Sequence, residues 1–207
     1  MDFLSGFLVV TVIAIFGVIS PGPDTAIIVK NSITRSRKDG IWTAAGIVVG
    51  NVVYVTLALM GFGAVLTSSV TLFTLVKLCG ALYLVFLGLN LIFSKRQELP
   101  SESGALRRED LSASFREGLI TNFGNPKFMV FVLALFTQVI DPSTPFLVQA
   151  LYAYQIPLIA FVWFSTLSVV LTTGMVRTRI SGFMHHVERA MGVVLVALGI
   201  TVALGSD

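Results

Sequence analysis

Residues 40–76 pass without a single Asp, Glu, Lys or Arg. A hydrophobic run of that length is a membrane signature, because crossing a bilayer takes about 20 mostly apolar residues. In lipid every backbone N–H and C=O must be satisfied within the protein, so such a run folds as helix. Residues 3–23 form a second charge-free run. The composition agrees: charged residues are 12% of the chain, against about 25% in soluble domains, and mean hydropathy is +0.89. The expected fold class is therefore an all-α integral membrane protein. At 207 residues it is a single transmembrane domain, 1–207, with no room for a large soluble unit. Its net charge of +3 does not point to nucleic acid, because the basic residues lie in a few short connections. Cys79 is the only cysteine, and nothing around it has the spacing of a zinc or redox site. Met1-Asp2 lacks the basic start of a secretory signal, and the apolar stretch that follows exceeds a signal's core, so it reads as the first transmembrane helix.

Six spans are expected. The first covers 3–29 and is interrupted at Pro21–Pro23. The 40–76 run is too long for one span, and Thr67-Ser68-Ser69 offers a polar turn, which divides it into spans at 40–66 and 72–93. Residues 94–117 form the one long polar segment. Its part 94–111 reads as a polar cytoplasmic loop joining two halves, about 1–93 and 112–207. Leu111, Phe115 and Leu119 fall four apart, which suggests an amphipathic turn on the membrane surface before the chain enters it. The remaining spans are 118–140, interrupted at Asn125-Pro126-Lys127, then 146–174 and 187–204. Gly46 and Gly50 are spaced for close helix contact in the second span.

Lys and Arg concentrate in the connections 30–39, 94–117 and 175–186. Cytoplasmic loops carry that excess, which places both termini outside. Three spans on each side of a polar loop force the halves into opposite orientations, the inverted 3+3 repeat of many secondary transporters, with helices 1 and 4 broken.

The breaks hold the chemistry. Ser20-Pro21-Gly22-Pro23 removes hydrogen-bond donors just before Asp24, at a depth where a carboxylate is a functional-site hypothesis by default. Asn122, Asn125, Pro126 and Lys127 form the second break. At about 1.5 Å rise per residue both breaks fall on the cytoplasmic side of the midplane, so they can form one site. Asp24 is a candidate to bind an ammonium, exchange a proton, pair with Lys127 or serve as a structural ion. Lys127 is a candidate for a substrate carboxylate or for snorkelling to the interface. Asn122 and Asn125 can donate and accept, although Asn125 can equally cap the helix after Pro126. Asn51 is an interhelical contact or a site residue. Lys77 is an interfacial anchor or a ligand. A zwitterion suits these elements best. Asp24 reads as the only membrane-depth carboxylate, which favours a neutral ligand over a basic one.

Taken together, Ser20-Pro21-Gly22-Pro23, the Gly40, Gly46, Gly50 series, Lys77-Leu78-Cys79-Gly80-Ala81-Leu82-Tyr83-Leu84 with Gly88, Asn122, Asn125-Pro126-Lys127, and Gly192 with Gly199 resemble the LysE/RhtB family of amino-acid exporters. The likeness runs from about residue 3 to 204. It departs at Phe136-Thr137-Gln138-Val139, where the family carries Phe-Pro-Gln-Phe, and at Asp24, a position that varies among members. The resemblance implies efflux of a small amino acid across the cytoplasmic membrane, protons or another ion as the coupling partner, and a homodimer. It implies no cofactor, no metal and no catalytic residue. The alternatives are export of lysine or arginine, an intramembrane enzyme acting on a lipid-linked substrate, and a non-transporting subunit. No phosphate-binding loop of the G-x-x-x-x-G-K-[ST] type occurs, so no nucleotide is consumed.

The topology has a direct check. Single cysteines at Ser69 and Ser103, in a background lacking Cys79, should react with an impermeant thiol reagent from opposite faces of the membrane. Labelling of both from the same face would contradict the orientation.

Overall fold

In the computed structural model, the residues described are 3–20, 22–68, 70–93, 108–139, 144–171 and part of 189–200. The elements are α1 (Phe3–Ile19), α2 (Pro23–Thr34), α3 (Arg37–Ser68), α4 (Val70–Ile92), α5 (Leu111–Phe123), α6 (Pro126–Val139) and α7 (Phe146–Leu171). Among the described residues α3, over Arg37–Gly61, and α7 are each long and apolar enough to cross a membrane. The pairs α1–α2 and α5–α6 bend by 56° and 57° at their breaks and pass the same test when each is taken as one span. The protein is thus an all-α, multi-pass membrane protein with two to four candidate spans among these residues. The sixth expected span, 187–204, and the connection before it lie mainly outside the described residues.

Each long helix presents an apolar face outward as well as inward. On α1, Leu4, Leu8, Val12 and Ile15 are exposed while Val10, Ala14 and Val18 are buried. On α7, Leu147, Leu151, Leu158 and Val162 are exposed while Ala153, Ile156, Ala160 and Phe164 are buried. An apolar solvent removes most of the hydrophobic drive between helices, leaving close packing and polar contacts to hold the bundle together.

The tightest crossing is α3 on α5. A Cβ on Gly46 would stand 2.0 Å from the Phe115 carbonyl, and one on Gly118 would stand 2.2 Å from the Thr43 carbonyl. The close contact expected of Gly46 and Gly50 is present, and Gly118 answers it from the facing helix. The expectation of a surface turn around Leu111–Leu119 is corrected. Those residues belong to α5, whose Ser114, Gly118 and Asn122 are buried against the bundle. Small and polar residues four apart, not the apolar Leu111, Phe115 and Leu119, set its inward face. Asp110 starts the helix by accepting the Ala113 N–H at 2.9 Å. That N–H, with the Ser112 hydroxyl, holds the Asp110 carboxyl below the ordinary carboxylate range. Near the far end of the chain, Gly192 and Gly199 make the same kind of close approach to Gly88 and Ala81 of α4.

Gly46→Ala should lower the thermal midpoint of the detergent-solubilised protein, since overpacking costs about 1–3 kcal/mol. Gly61→Ala, with nothing among the described residues within 4 Å of the new methyl group, should leave it unchanged. Equal midpoints in the two variants, read by size-exclusion after heating, would contradict the α3–α5 contact.

Candidate functional site

The two breaks meet. α1 ends with Ser20 N–H donating to the Phe16 carbonyl at 3.1 Å, and α2 resumes with Ala26 N–H on the Gly22 carbonyl at 2.9 Å. Between them Gly22 is extended, with φ 178° and ψ −167°, and no side chain caps the start of α2. The second break is built differently. Gly124 N–H still bonds the Ile120 carbonyl at 2.9 Å, and Asn125 Oδ1 accepts the N–H groups of Lys127 at 3.1 Å and Phe128 at 3.4 Å. Asn125 therefore caps α6, an arrangement worth about 1 kcal/mol. Pro23 and Pro126 each begin the resumed helix, where a missing N–H costs nothing. Both prolines are exposed, so they make the breaks without lining the site.

The Lys127 ammonium crosses from the second break to the first. It donates to the Ser20 carbonyl at 2.6 Å and to the Ser20 hydroxyl at 2.7 Å. Asp24, one residue into α2, accepts through Oδ2 from the Asn122 amide at 2.9 Å. The same amide nitrogen donates to Asn51 Oδ1 at 2.7 Å, so both of its hydrogens are used. Asn122 is fully buried and Asn51 is 1% exposed. A Cβ on Gly50 would fall 2.3 Å from Asn122 Oδ1, so glycine there makes room for the amide.

A small pocket opens at this junction. Ser20, Gly22, Asp24, Asn51, Asn125 and Lys127 supply its polar wall, and Val18, Phe128, Phe131 and Phe164 its apolar wall. Asn122 stands behind Asp24 and orients it. Among the described residues Asp24 Oδ1 is buried and has no hydrogen-bond partner within bonding distance. A buried carboxylate oxygen left open favours a cationic donor.

Of the residues expected from sequence, Ser20, Gly22, Asp24, Asn51, Asn122, Asn125 and Lys127 converge here. Pro21, and the Lys77 side chain on α4, lie outside the described residues. The apolar wall was missed, because Phe128, Phe131 and Phe164 carry no signal that separates them from other core aromatics. Asp39 was missed as well. It is fully buried, a second buried carboxylate in addition to Asp24, although it stands in the first turn of α3. Its Oδ2 accepts from the Ser36 hydroxyl at 2.7 Å, and its own N–H donates to that hydroxyl oxygen at 3.2 Å. The signal was readable, since Ser36-x-x-Asp39 has the spacing of a capping box. Asp39 does not line the pocket.

The LysE type translocator family matches the chain over residues 15–206. The leucine efflux protein of Salmonella typhimurium (strain LT2) is 34% identical over 134 residues, covering 64% of this chain and 62% of that protein. The chain thus spans less than two thirds of that relative's length. The leucine efflux protein of Klebsiella pneumoniae is 31% identical over 177 residues, covering 84% of this chain and 83% of that protein. A membrane protein of Bacillus subtilis, YrhP, described as uncharacterized, is 28% identical over 200 residues, covering 93% of this chain and 95% of that protein. No solved structure matches.

Asp24→Asn keeps the shape of the site and removes its charge. Under the export that the resemblance implies, efflux should fall by at least tenfold, about 1.4 kcal/mol or more of lost stabilisation, while membrane abundance stays at the parent level. Neutralising Lys127 as well, Asp24→Asn with Lys127→Gln, should not restore activity. Recovery in the double variant would reduce the two residues to structural partners.

Proposed function

The chain belongs to the LysE/RhtB family of amino-acid efflux transporters, and on that premise we propose that it exports a small neutral amino acid, with leucine the first candidate. Proteins of this family are transporters, not enzymes. Transport is secondary, across the cytoplasmic membrane, with protons as the coupling ion.

The observation that carries the reading is the open Asp24 Oδ1 in a pocket that also holds the Lys127 ammonium. The substrate ammonium binds Asp24. Its carboxylate lies toward Lys127 and the uncapped start of α2, where backbone N–H groups and the helix dipole favour an anion. Its side chain rests on Val18, Phe128, Phe131 and Phe164. A lysine or arginine side chain would need a second carboxylate in the pocket, and among the described lining residues Asp24 is the only acid. Asp24 is also the group that can exchange a proton as the substrate leaves. The two relatives named as leucine efflux proteins agree with the side-chain class.

The proposal includes six spans, both termini outside, a single domain 1–207 and a 3+3 inverted repeat of halves 1–93 and 112–207. Its support is the correspondence of the breaks. Pro23 opens α2 and Pro126 opens α6, and the next residue is Asp24 in one and Lys127 in the other. The bends, 56° and 57°, are nearly equal. The packing is reciprocal: α1 lies on α7 as α5 lies on α3, and α2 touches α7 as α6 touches α3. Opposite charges at equivalent positions are how a pseudo-symmetric pocket recognises an asymmetric zwitterion. The homodimer implied by the family is part of the same proposal.

Purified protein in liposomes loaded with labelled leucine should release it against a leucine gradient only while a proton gradient is imposed. Collapsing the proton gradient should leave downhill exchange intact. If none of the twenty amino acids moves under either condition, the exporter reading is wrong.

A further inference from the structure

Beyond the pocket, α2 and α5 continue side by side and antiparallel. Asp24, Ile28, Asn31 and Arg35 fall at steps of four, three and four, one stripe of α2. Against it α5 sets Asn122, Gly118 and Ser114, four apart, with Glu117 beside them. At the pocket end Asp24 meets Asn122. Farther along, the Asn31 amide donates to Thr43 Oγ1 at 2.9 Å and to Glu117 Oε2 at 3.2 Å. At the far end Arg35 donates to Glu117 Oε1 at 2.7 Å and to the Ser114 hydroxyl at 2.8 Å. Ser114 in turn donates to the buried Asp39 Oδ1 at 2.7 Å, which ties α3 into the cluster.

This seam is unusual for a contact that only glues helices together. Among the described residues Asn31 Oδ1 is buried within it with no hydrogen-bond partner, as are Asp24 Oδ1 and Asn122 Oδ1 at the pocket. Buried polar atoms in native proteins are nearly always paired, and an unpaired one asks for an explanation. Here they follow one another along α2 and α5 from the pocket toward the end bearing the basic connections. The far end of the seam is shut by charged side chains, which water would solvate if the helices parted.

We propose that the route between the pocket and the basic face runs between α2 and α5, and that the Arg35–Glu117 pair, braced through Ser114 by Asp39, is the gate that closes it. The inference rests on the transporter reading. Opening separates α2 from α5 at Arg35 while Asp24 and Asn122 mark the inner limit of the passage. The Gly46–Phe115 and Gly118–Thr43 approaches keep α5 on α3.

The test is access to Thr25, which lines the pocket and is replaced by cysteine in a Cys79→Ser background. Membrane vesicles of both orientations are treated with an impermeant maleimide. Glu117→Gln should raise the labelling rate from the basic face about tenfold, the loss expected for one charged hydrogen bond. The reversed pair, Arg35→Glu with Glu117→Arg, should bring the rate back to that of the parent. A parent rate in well-folded Glu117→Gln overturns the gate. If Glu117→Gln does not reach the membrane, Ser114→Ala removes the link between Arg35 and Asp39 without removing a charge. It should raise the rate in the same direction, and an unchanged rate again overturns the gate. A rise from the opposite face supports the gate and contradicts the topology. Leucine transport by a protein whose gate variants label at the parent rate contradicts the gate and keeps the exporter.

Discussion

A membrane helix can be broken only where its freed backbone groups find partners, because lipid offers none. In this protein each break supplies partners for the other. The Ser20 carbonyl stands at the first break, and the Lys127 ammonium from the second reaches it at 2.6 Å. Asp24 enters the bundle just after the first break and is held by Asn122, just before the second. Neither half of the chain can form its half of the junction alone. The fold around it, with α3 and α7 as full-length struts and α1–α2 and α5–α6 as bent pairs, brings two irregular stretches about a hundred residues apart to one point. The proposed function follows from the same constraint, since backbone and side-chain groups assembled to satisfy a break can also meet a zwitterion.

The two breaks are not equivalent in detail, and the difference bears on substrate orientation. α6 is capped by its own Asn125. The start of α2 has no side-chain cap, which leaves its N–H groups for a ligand. A pocket built from two like half-helices would be indifferent to which end of an amino acid entered first. In the site we propose, self-capping on one side, with Asp24 at one break and Lys127 at the other, removes that ambiguity.

Much of this was legible in the chain. The charge-free runs, the two proline-marked breaks and the glycines of α3 follow from local rules of backbone chemistry and spacing, and they fell where those rules put them. Asn125 showed both of its readable roles, cap and pocket residue. The α2–α3–α5 cluster was not legible. Arg35 and Asp39 look like parts of a basic connection, and Glu117 looks like part of a polar loop. Their pairing joins residues about eighty positions apart, which no periodicity within one sequence displays. The apolar wall was hidden for another reason: in a chain that is 55% hydrophobic, three more phenylalanines distinguish nothing until they face a carboxylate.

The central claim is that the two breaks form one substrate site. A structure of the protein determined with leucine bound tests it most directly. The account predicts ligand density between Asp24 and Lys127, the ammonium within hydrogen-bonding reach of Asp24 and the side chain on Phe131 and Phe164. Leucine bound elsewhere in the bundle, with this junction empty, would contradict it.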